Sequence, residues 1–147
     1  MKLYLDLCVY NRPFDYQGQE RIALETGAFI YILEKTEKGD HAIVISEALV
    51  YENNRNPDAL RKHRVASYFH LAQEFIAIDS AALERVEVLK GFGLSDVDAL
   101  HIALADKSKV NYFITCDDHI VSLCKKHQDI IGVSVVGLLD FIALEVK

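Results

Sequence analysis

The sequence has few of the residues that interrupt a folded domain. It contains only two prolines and seven glycines and no low-complexity stretch, so it offers no obvious linker or disordered tail. No apolar run approaches the roughly 20 residues that span a bilayer, and Asp6 interrupts any signal-peptide-like segment at the start. The chain has 147 residues, of which 51% are hydrophobic, and can therefore bury a substantial core. We expect a single soluble, cytoplasmic domain over residues 1–147.

Cysteine is also scarce. Cys8, Cys116 and Cys124 are odd in number and lack any C-x-x-C spacing. Because Cys8 and Cys116 both lie near predicted strand ends, free buried thiols are favoured over a disulfide or a zinc site.

Charge and motifs exclude two further classes. The net charge of −6 disfavours a protein that coats nucleic acid through a basic stripe. It does not exclude a nuclease, because acids in a metal site contribute to this charge and a bound cation reverses the local field. No G-x-x-x-x-G-K loop is present, which disfavours a nucleoside triphosphate motor. The basic residues Arg55 and 61–64 form either a solvated helix face or a phosphate-binding surface.

Hydrophobic patterning predicts strands that alternate with helices. The predicted strands cover residues 2–6, 42–46, 75–78, 111–116 and 133–136. The predicted helices cover residues 19–37, 47–54, 58–73, 80–90, 95–107, 118–127 and 137–145. Asn11-Arg12-Pro13 predicts a loop after the first strand. This alternation predicts an α/β fold with a largely parallel sheet covered by helices on both faces.

Four carboxylates stand where an apolar run gives way to the start of a helix. They are Asp6, Glu52, Asp98 and Asp117. If the runs are neighbouring parallel strands, the four acids meet at one edge of the sheet, where open α/β proteins bind their ligands. Acids crowded there repel one another unless a cation intervenes, and Mg²⁺ favours oxygen ligands. The pattern therefore predicts a metal-dependent enzyme that acts on phosphate.

Each acid also has a simpler explanation. Asp98 fits the third position of a capping box opened by Ser95, and Asp117 fits an N-cap. Glu52 fits an exposed helix position. Asp6 is harder to explain this way, because Leu7-Cys8-Val9 does not indicate a helix that needs a cap. The occurrence of all four acids in these positions favours a metal site over four separate capping or surface roles.

Neighbouring acids compete with members of this set. Asp96 precedes Asp98 by two residues, roughly 200° around a helix, and is assigned to capping. Glu47 competes with Glu52, and Asp118 ranks below Asp117 as a capping or supporting group.

Several segments in order resemble the PIN domain, a small metal-dependent ribonuclease fold that includes toxins of bacterial type II toxin–antitoxin systems. The similar segments are Leu5-Asp6 with Asn11-Arg12, Ser46 followed by Glu52, residues 98–103, and residues 113–118. The resemblance spans nearly the whole chain and implies an α/β/α sandwich with Asp6, Glu52, Asp98 and Asp117 as its acidic quartet. Leu7-Cys8 departs from the small hydroxyl residue that many relatives have after the first acid.

The resemblance further implies an endoribonuclease that uses Mg²⁺ or Mn²⁺ to cut single-stranded RNA, with an antitoxin as partner and dimerisation as a further expectation. In this hypothesis Asp6 and Asp98 ligate the metal directly, while Glu52 and Asp117 act through water or a second ion. His101 is either a phosphate contact or a half-buried helix histidine, and Arg12 and Arg55 are candidate phosphate ligands.

Two other functions remain open at this point. One is a non-catalytic PIN-like module that binds RNA or a protein. The other is a hydrolase of small phosphoesters, which is disfavoured because Leu7-Cys8 provides no second aspartate two residues after Asp6.

Overall fold

Five strands form one parallel sheet. The computed structural model describes all residues from Met1 to Lys147. The strands are β1 (Lys2–Leu5), β2 (Ala42–Ser46), β3 (Glu74–Ile76), β4 (Tyr112–Thr115) and β5 (Val135–Gly137). Their order across the sheet is β3-β2-β1-β4-β5, and every neighbouring pair is parallel. The predicted α/β class with a parallel sheet is confirmed.

Nine helices connect the strands and cover the sheet. They are α1 (Leu7–Asn11), α2 (Glu20–Glu37), α3 (Glu47–Asn54), α4 (Ala59–Tyr68), α5 (Ser80–Lys90), α6 (Asp96–Lys107), α7 (Asp118–Lys126), α8 (Gln128–Ile131) and α9 (Leu138–Glu145). Short 3₁₀ turns cover Arg12–Phe14 and Phe69–Leu71, so the helix predicted over 58–73 ends earlier, at Tyr68. None of the helices is long and apolar enough to cross a bilayer.

The helices lie on both faces of the sheet. Successive side chains of a strand point to opposite faces. On β4, Phe113 stacks with Tyr4 of β1, and Tyr4 in turn contacts His101 of α6. The preceding residue, Tyr112, packs on the other face against Phe141 of α9. The sheet is therefore the middle layer of the α/β/α sandwich that the resemblance implied.

Strand β1 lies at the centre of the core. Leu3, Tyr4 and Leu5 are fully buried, and β1 pairs with β2 on one side and β4 on the other. A strand covered on both faces reads as a continuous apolar run rather than an alternating one. This burial explains why the segment was recognisable as a strand from sequence.

The chain leaving β1 does not form the predicted loop. Instead α1 begins at Leu7, and Asp6 is its N-cap, accepting the backbone N–H of Leu7 at 2.8 Å. Pro13 is accommodated at the start of the following 3₁₀ turn, where it removes no helical hydrogen bond. Contrary to the expectation from sequence, Asp6 does have a helix to cap.

A chain of ion pairs fixes the segment after α1. Arg12 donates from Nε to Glu25 Oε1 at 2.9 Å and from Nη1 to Asp15 Oδ2 at 2.8 Å. Arg61 donates to the other oxygen of Asp15 at 2.8 Å. Because Glu25 is only 1% exposed, Arg12 balances a buried charge, and this does not favour its expected role as a phosphate ligand.

Truncation of Ile114 tests the central packing. Ile114→Ala removes a fully buried side chain from β4 and is expected to lower the free energy of unfolding by about 2–5 kcal/mol through lost burial and cavity formation. Leu83→Ala, at a position 54% exposed on α5, is the matched control and should change stability little. Urea denaturation followed by circular dichroism measures both. Equal losses would contradict the assignment of the core to this sheet.

Candidate metal centre

The strand order creates a crevice at the carboxyl end of β1. Connections from β1 lead outward to β2 and β3, and the chain then returns to place β4 on the opposite side of β1. Such a reversal of strand order is where open α/β sheets bind ligands. Leu5 pairs with Ile114, and the N–H of Asp6 continues this ladder by donating to Ile114 O at 2.9 Å. The ends of β1, β2 and β4 are thus neighbours.

Asp6 lies in this crevice with a fixed carboxylate. Its Oδ1 accepts the Leu7 N–H, while its Oδ2 accepts the Thr115 hydroxyl at 2.8 Å and the Cys8 thiol at 3.5 Å. Only 7% of Asp6 is exposed. The neutral donors offset part of the cost of burying the charge, and each carboxylate oxygen keeps acceptor capacity for a cation.

A hydrogen-bonded chain positions Glu52. His101 is fully buried, and its Nε2 lies 2.9 Å from Glu52 Oε1 while its Nδ1 lies 2.6 Å from Tyr4 Oη. Tyr4 Oη also lies 2.6 Å from Ser46 Oγ, which accepts the Leu49 N–H at 3.1 Å. This series of hydrogen bonds runs from Ser46, at the start of α3, through Tyr4 of β1 and His101 of α6 to Glu52 of α3.

Donor and acceptor rules assign the protons in this chain. If Glu52 is ionised it only accepts, so His101 Nε2 donates to it, and in the neutral tautomer with hydrogen on Nε2 the Nδ1 atom accepts from the Tyr4 hydroxyl. Burial raises the pKa of Tyr4 well above its ordinary value, so Tyr4 keeps its proton. Ser46 then donates to Tyr4. Both nitrogens of His101 are occupied, and this histidine orients Glu52 rather than contacting phosphate.

Asp6, Glu52 and His101 come close together. One ligand atom from each lies within 4.8 Å of the other two. The site faces a crevice at a sheet edge and offers carboxylate oxygens, the donors that hard divalent cations prefer. With His101 engaged as a donor to Glu52, the arrangement fits a cation held by carboxylates and supported by a histidine behind one of them.

Asp98 lies near this group without belonging to it. It sits in the first turn of α6, where its N–H donates to the N-cap Ser95 at 3.2 Å, as the capping box predicted. Burial raises the pKa of Asp98, and the negative charges of Asp6 and Asp117 raise it further. Asp98 is thus within electrostatic reach of both acids, and a cation among them would relieve the repulsion.

Asp117 is the most exposed of the four predicted acids. Its Oδ1 caps α7 by accepting the N–H groups of His119 at 2.9 Å and Ile120 at 3.3 Å. It is not part of the group of mutually close ligand atoms. Its capping role and its electrostatic effect on Asp98 coexist, because the capping bonds use Oδ1 alone.

The competing acids have other partners. Glu47 accepts the Ile78 N–H at 2.8 Å, and Asp96 pairs with Lys90 at 2.8 Å. Asp118 accepts two bonds from Arg21, at 2.8 and 2.9 Å, which lower the pKa of its carboxyl. These contacts explain the position of each of these three acids without a role in the metal site.

An aromatic and a basic residue flank Glu52 in the sequence, Tyr51 on α3 and Arg55 directly after its end. The exposed ring of Tyr51 lies 5.7 Å from the guanidinium carbon of Arg55, whose Nη1 donates to Tyr51 Oη at 3.3 Å. Within the basic cluster, Arg61 is instead held by Asp15. Arg55, His63 and Arg64 of this cluster are exposed at the surface.

Sequence reasoning did not find the roles of Tyr4, Ser46, Thr115 and His101. The signal available was His101 at one turn after Asp98, but its partner Tyr4 lies 97 residues away within an apolar run. Thr115 belongs to the apolar strand before Asp117, and no local sequence signal indicates that its hydroxyl donates to Asp6.

No protein-family model matches the chain, and no curated protein sequence matches it. Several solved structures, however, are similar to the chain. VapBC2 from Rickettsia felis, bound to a DNA fragment from their promoter, is similar with a TM-score of 0.58 and 12% identity, covering 93% of this chain and 98% of that chain. PAE2754 from Pyrobaculum aerophilum is similar with a TM-score of 0.57 and 16% identity, covering both chains completely.

At these identities the likeness concerns the fold. It agrees with the strand order, the parallel sheet and its helices on both faces. The chain has a PIN-like fold.

Proposed function

We propose that this protein is a Mg²⁺- or Mn²⁺-dependent endoribonuclease that hydrolyses RNA phosphodiester bonds. The observation that carries the proposal is the approach of the Asp6 and Glu52 carboxylates at the carboxyl edge of the sheet, backed by His101. Asp98 and Asp117 add charge around the same crevice. A concentration of negative charge with fixed orientation suits a divalent cation.

The side chains have distinct roles in this proposal. Asp6 and Glu52, whose carboxylates approach each other, would hold the cation, while Asp98 and Asp117 would act through water or at a second ion. Such a cation supplies positive charge that stabilises the developing negative charge on the scissile phosphate. Thr115 fixes Asp6, and Tyr4 with His101 fixes Glu52, so the carboxylates need little reorganisation when substrate binds.

Single-stranded RNA is the proposed substrate class. Tyr51 offers an exposed aromatic face next to Glu52, and Arg55 adds a positive charge beside it. Unpaired bases stack on aromatic rings, and arginine pairs with phosphate.

We also propose that the protein acts as a toxin restrained by an antitoxin. The likeness to VapBC2, a structure that contains promoter DNA, supports this partner. An adjacent gene encoding a small DNA-binding protein would support the pairing.

Substitution of Asp98 tests the enzyme directly. Asp98→Asn should lower metal-dependent cleavage of a mixed single-stranded RNA by more than about 100-fold, since loss of even a supporting group at a metal site costs about 10–100-fold. Asp6→Asn should act likewise. Asp96→Asn is the matched control, because Asp96 lies two residues away and pairs with Lys90. Cleavage is measured with Mn²⁺, Mg²⁺ or EDTA.

Full cleavage by Asp98→Asn would refute the site. Absence of cleavage by folded, partner-free wild-type protein that still binds RNA would instead favour the non-catalytic binding module.

Substitution of Tyr4 tests the positioning of Glu52. Tyr4→Phe leaves His101 Nδ1 without its donor and should cost about 1–3 kcal/mol of stability. It should also weaken Mn²⁺ binding by about tenfold. Tyr112→Phe, on the neighbouring strand, is the control, and calorimetric titration with Mn²⁺ is the measurement. Lower stability with unchanged Mn²⁺ affinity would show that the chain does not orient Glu52.

Stability should depend on pH through Asp98. Its pKa is higher in the folded state than in the unfolded state, so between the two values the folded protein binds more protons. The stabilising contribution is therefore complete below the unfolded pKa and is lost as pH rises through the folded pKa. In EDTA, unfolding midpoints should show this loss for wild type and a smaller one for Asp98→Asn. Identical pH profiles would contradict the raised pKa of Asp98.

A further inference from the structure

We infer that Cys8 and Cys116 form an oxidisable pair of thiols beside Asp6, which a hydroperoxide converts into a disulfide. The pairing itself does not depend on the proposed activity. Its effect on the carboxylate site rests on the proposed function.

The backbone brings the two cysteines together. Cys8 is the second residue of α1, just beyond β1, and Cys116 directly follows β4. These strands are hydrogen-bonded neighbours, with Leu5 paired to Ile114. The backbone N–H of Cys116 donates to Cys8 Sγ at 3.3 Å.

The surroundings distinguish these two thiols from the third. Cys8 is partly exposed, whereas Cys116 is buried next to it. Cys124 is fully buried on α7, the helix that follows Cys116. Cys8 is therefore the thiol that an oxidant reaches first, and Cys116 is the neighbouring thiol with which it can pair.

The reaction balances with one hydroperoxide. The Cys8 sulfur attacks one peroxide oxygen, the O–O bond breaks, and water leaves, giving a sulfenic acid when hydrogen peroxide is the oxidant. The Cys116 sulfur then displaces the hydroxyl group as a second water while the S–S bond forms. Two thiols lose two hydrogens and two electrons in total, and one peroxide is reduced to two waters.

The disulfide changes the contacts of Asp6. In the reduced protein Cys8 donates its S–H to Asp6 Oδ2 at 3.5 Å and lies 3.5 Å from Thr115 Oγ1. Thr115 donates to that same carboxylate oxygen. Disulfide formation removes the S–H donor and draws the Cys8 sulfur toward Cys116. Asp6 thereby loses one of the groups that hold its carboxylate, and cation binding should weaken.

Peptide mapping tests the pairing. Reduced full-length protein is exposed to hydrogen peroxide in EDTA, alkylated after denaturation, digested and analysed by mass spectrometry. The expected product is lighter by two hydrogen atoms, contains a Cys8–Cys116 cross-link and carries an alkylated Cys124. The Cys124→Ser variant should give the same cross-link. A disulfide that includes Cys124, sulfinic acid at Cys8 as the main product, or three alkylated thiols would overturn the inference.

Metal binding and cleavage test the consequence. Oxidised protein should bind Mn²⁺ about tenfold more weakly than reduced protein, with recovery on addition of a reductant. RNA cleavage should fall in parallel for wild type and for Cys124→Ser. An unchanged Mn²⁺ affinity after complete cross-linking would overturn the proposed effect on Asp6. If Mn²⁺ affinity falls but neither redox form cuts RNA, the inference stands and the proposed nuclease fails.

Discussion

The pairing of β1 between β2 and β4 is the interaction on which the rest of the structure depends. Because all three strands run in the same direction, their carboxyl ends meet at one edge, and the residues after them share one crevice. A fully buried apolar strand stabilises this arrangement from both faces. The acids inherit their proximity from backbone pairing, with no local sequence motif joining them.

Crowding carboxylates costs free energy, and the structure offsets only part of it. Asp6 receives donors from Leu7, Thr115 and Cys8, while Glu52 receives one from His101. Burial raises the pKa of Asp98, and the nearby charges of Asp6 and Asp117 raise it further. Function and stability are opposed here, since the arrangement that would hold a cation is strained without one. The same close packing brings two thiols next to a carboxylate.

Periodicity identified the elements that depend on local pattern. The apolar runs before Asp6 and Asp117 were recognised as strands because buried parallel strands are almost entirely apolar. Helix α1 was missed because it has only five residues and is followed closely by Pro13, which favoured a loop. That error removed the capping explanation for Asp6, which the structure restores. Capping by Asp6 does not compete with a site, since a carboxylate oxygen accepts more than one contact.

The sequence by itself determined the α/β class and the parallel sheet, because these follow from local apolar periodicity and chain direction, and it offered the four acids as candidates. It also placed Ser95 as a cap, since capping acts within one helical turn. Only the tertiary structure decided that His101 serves Glu52, that Asp118 serves Arg21 and that Cys8 contacts Cys116. These contacts join side chains that are remote in sequence. Strand register and packing set the distances between them, and no local sequence pattern encodes those distances.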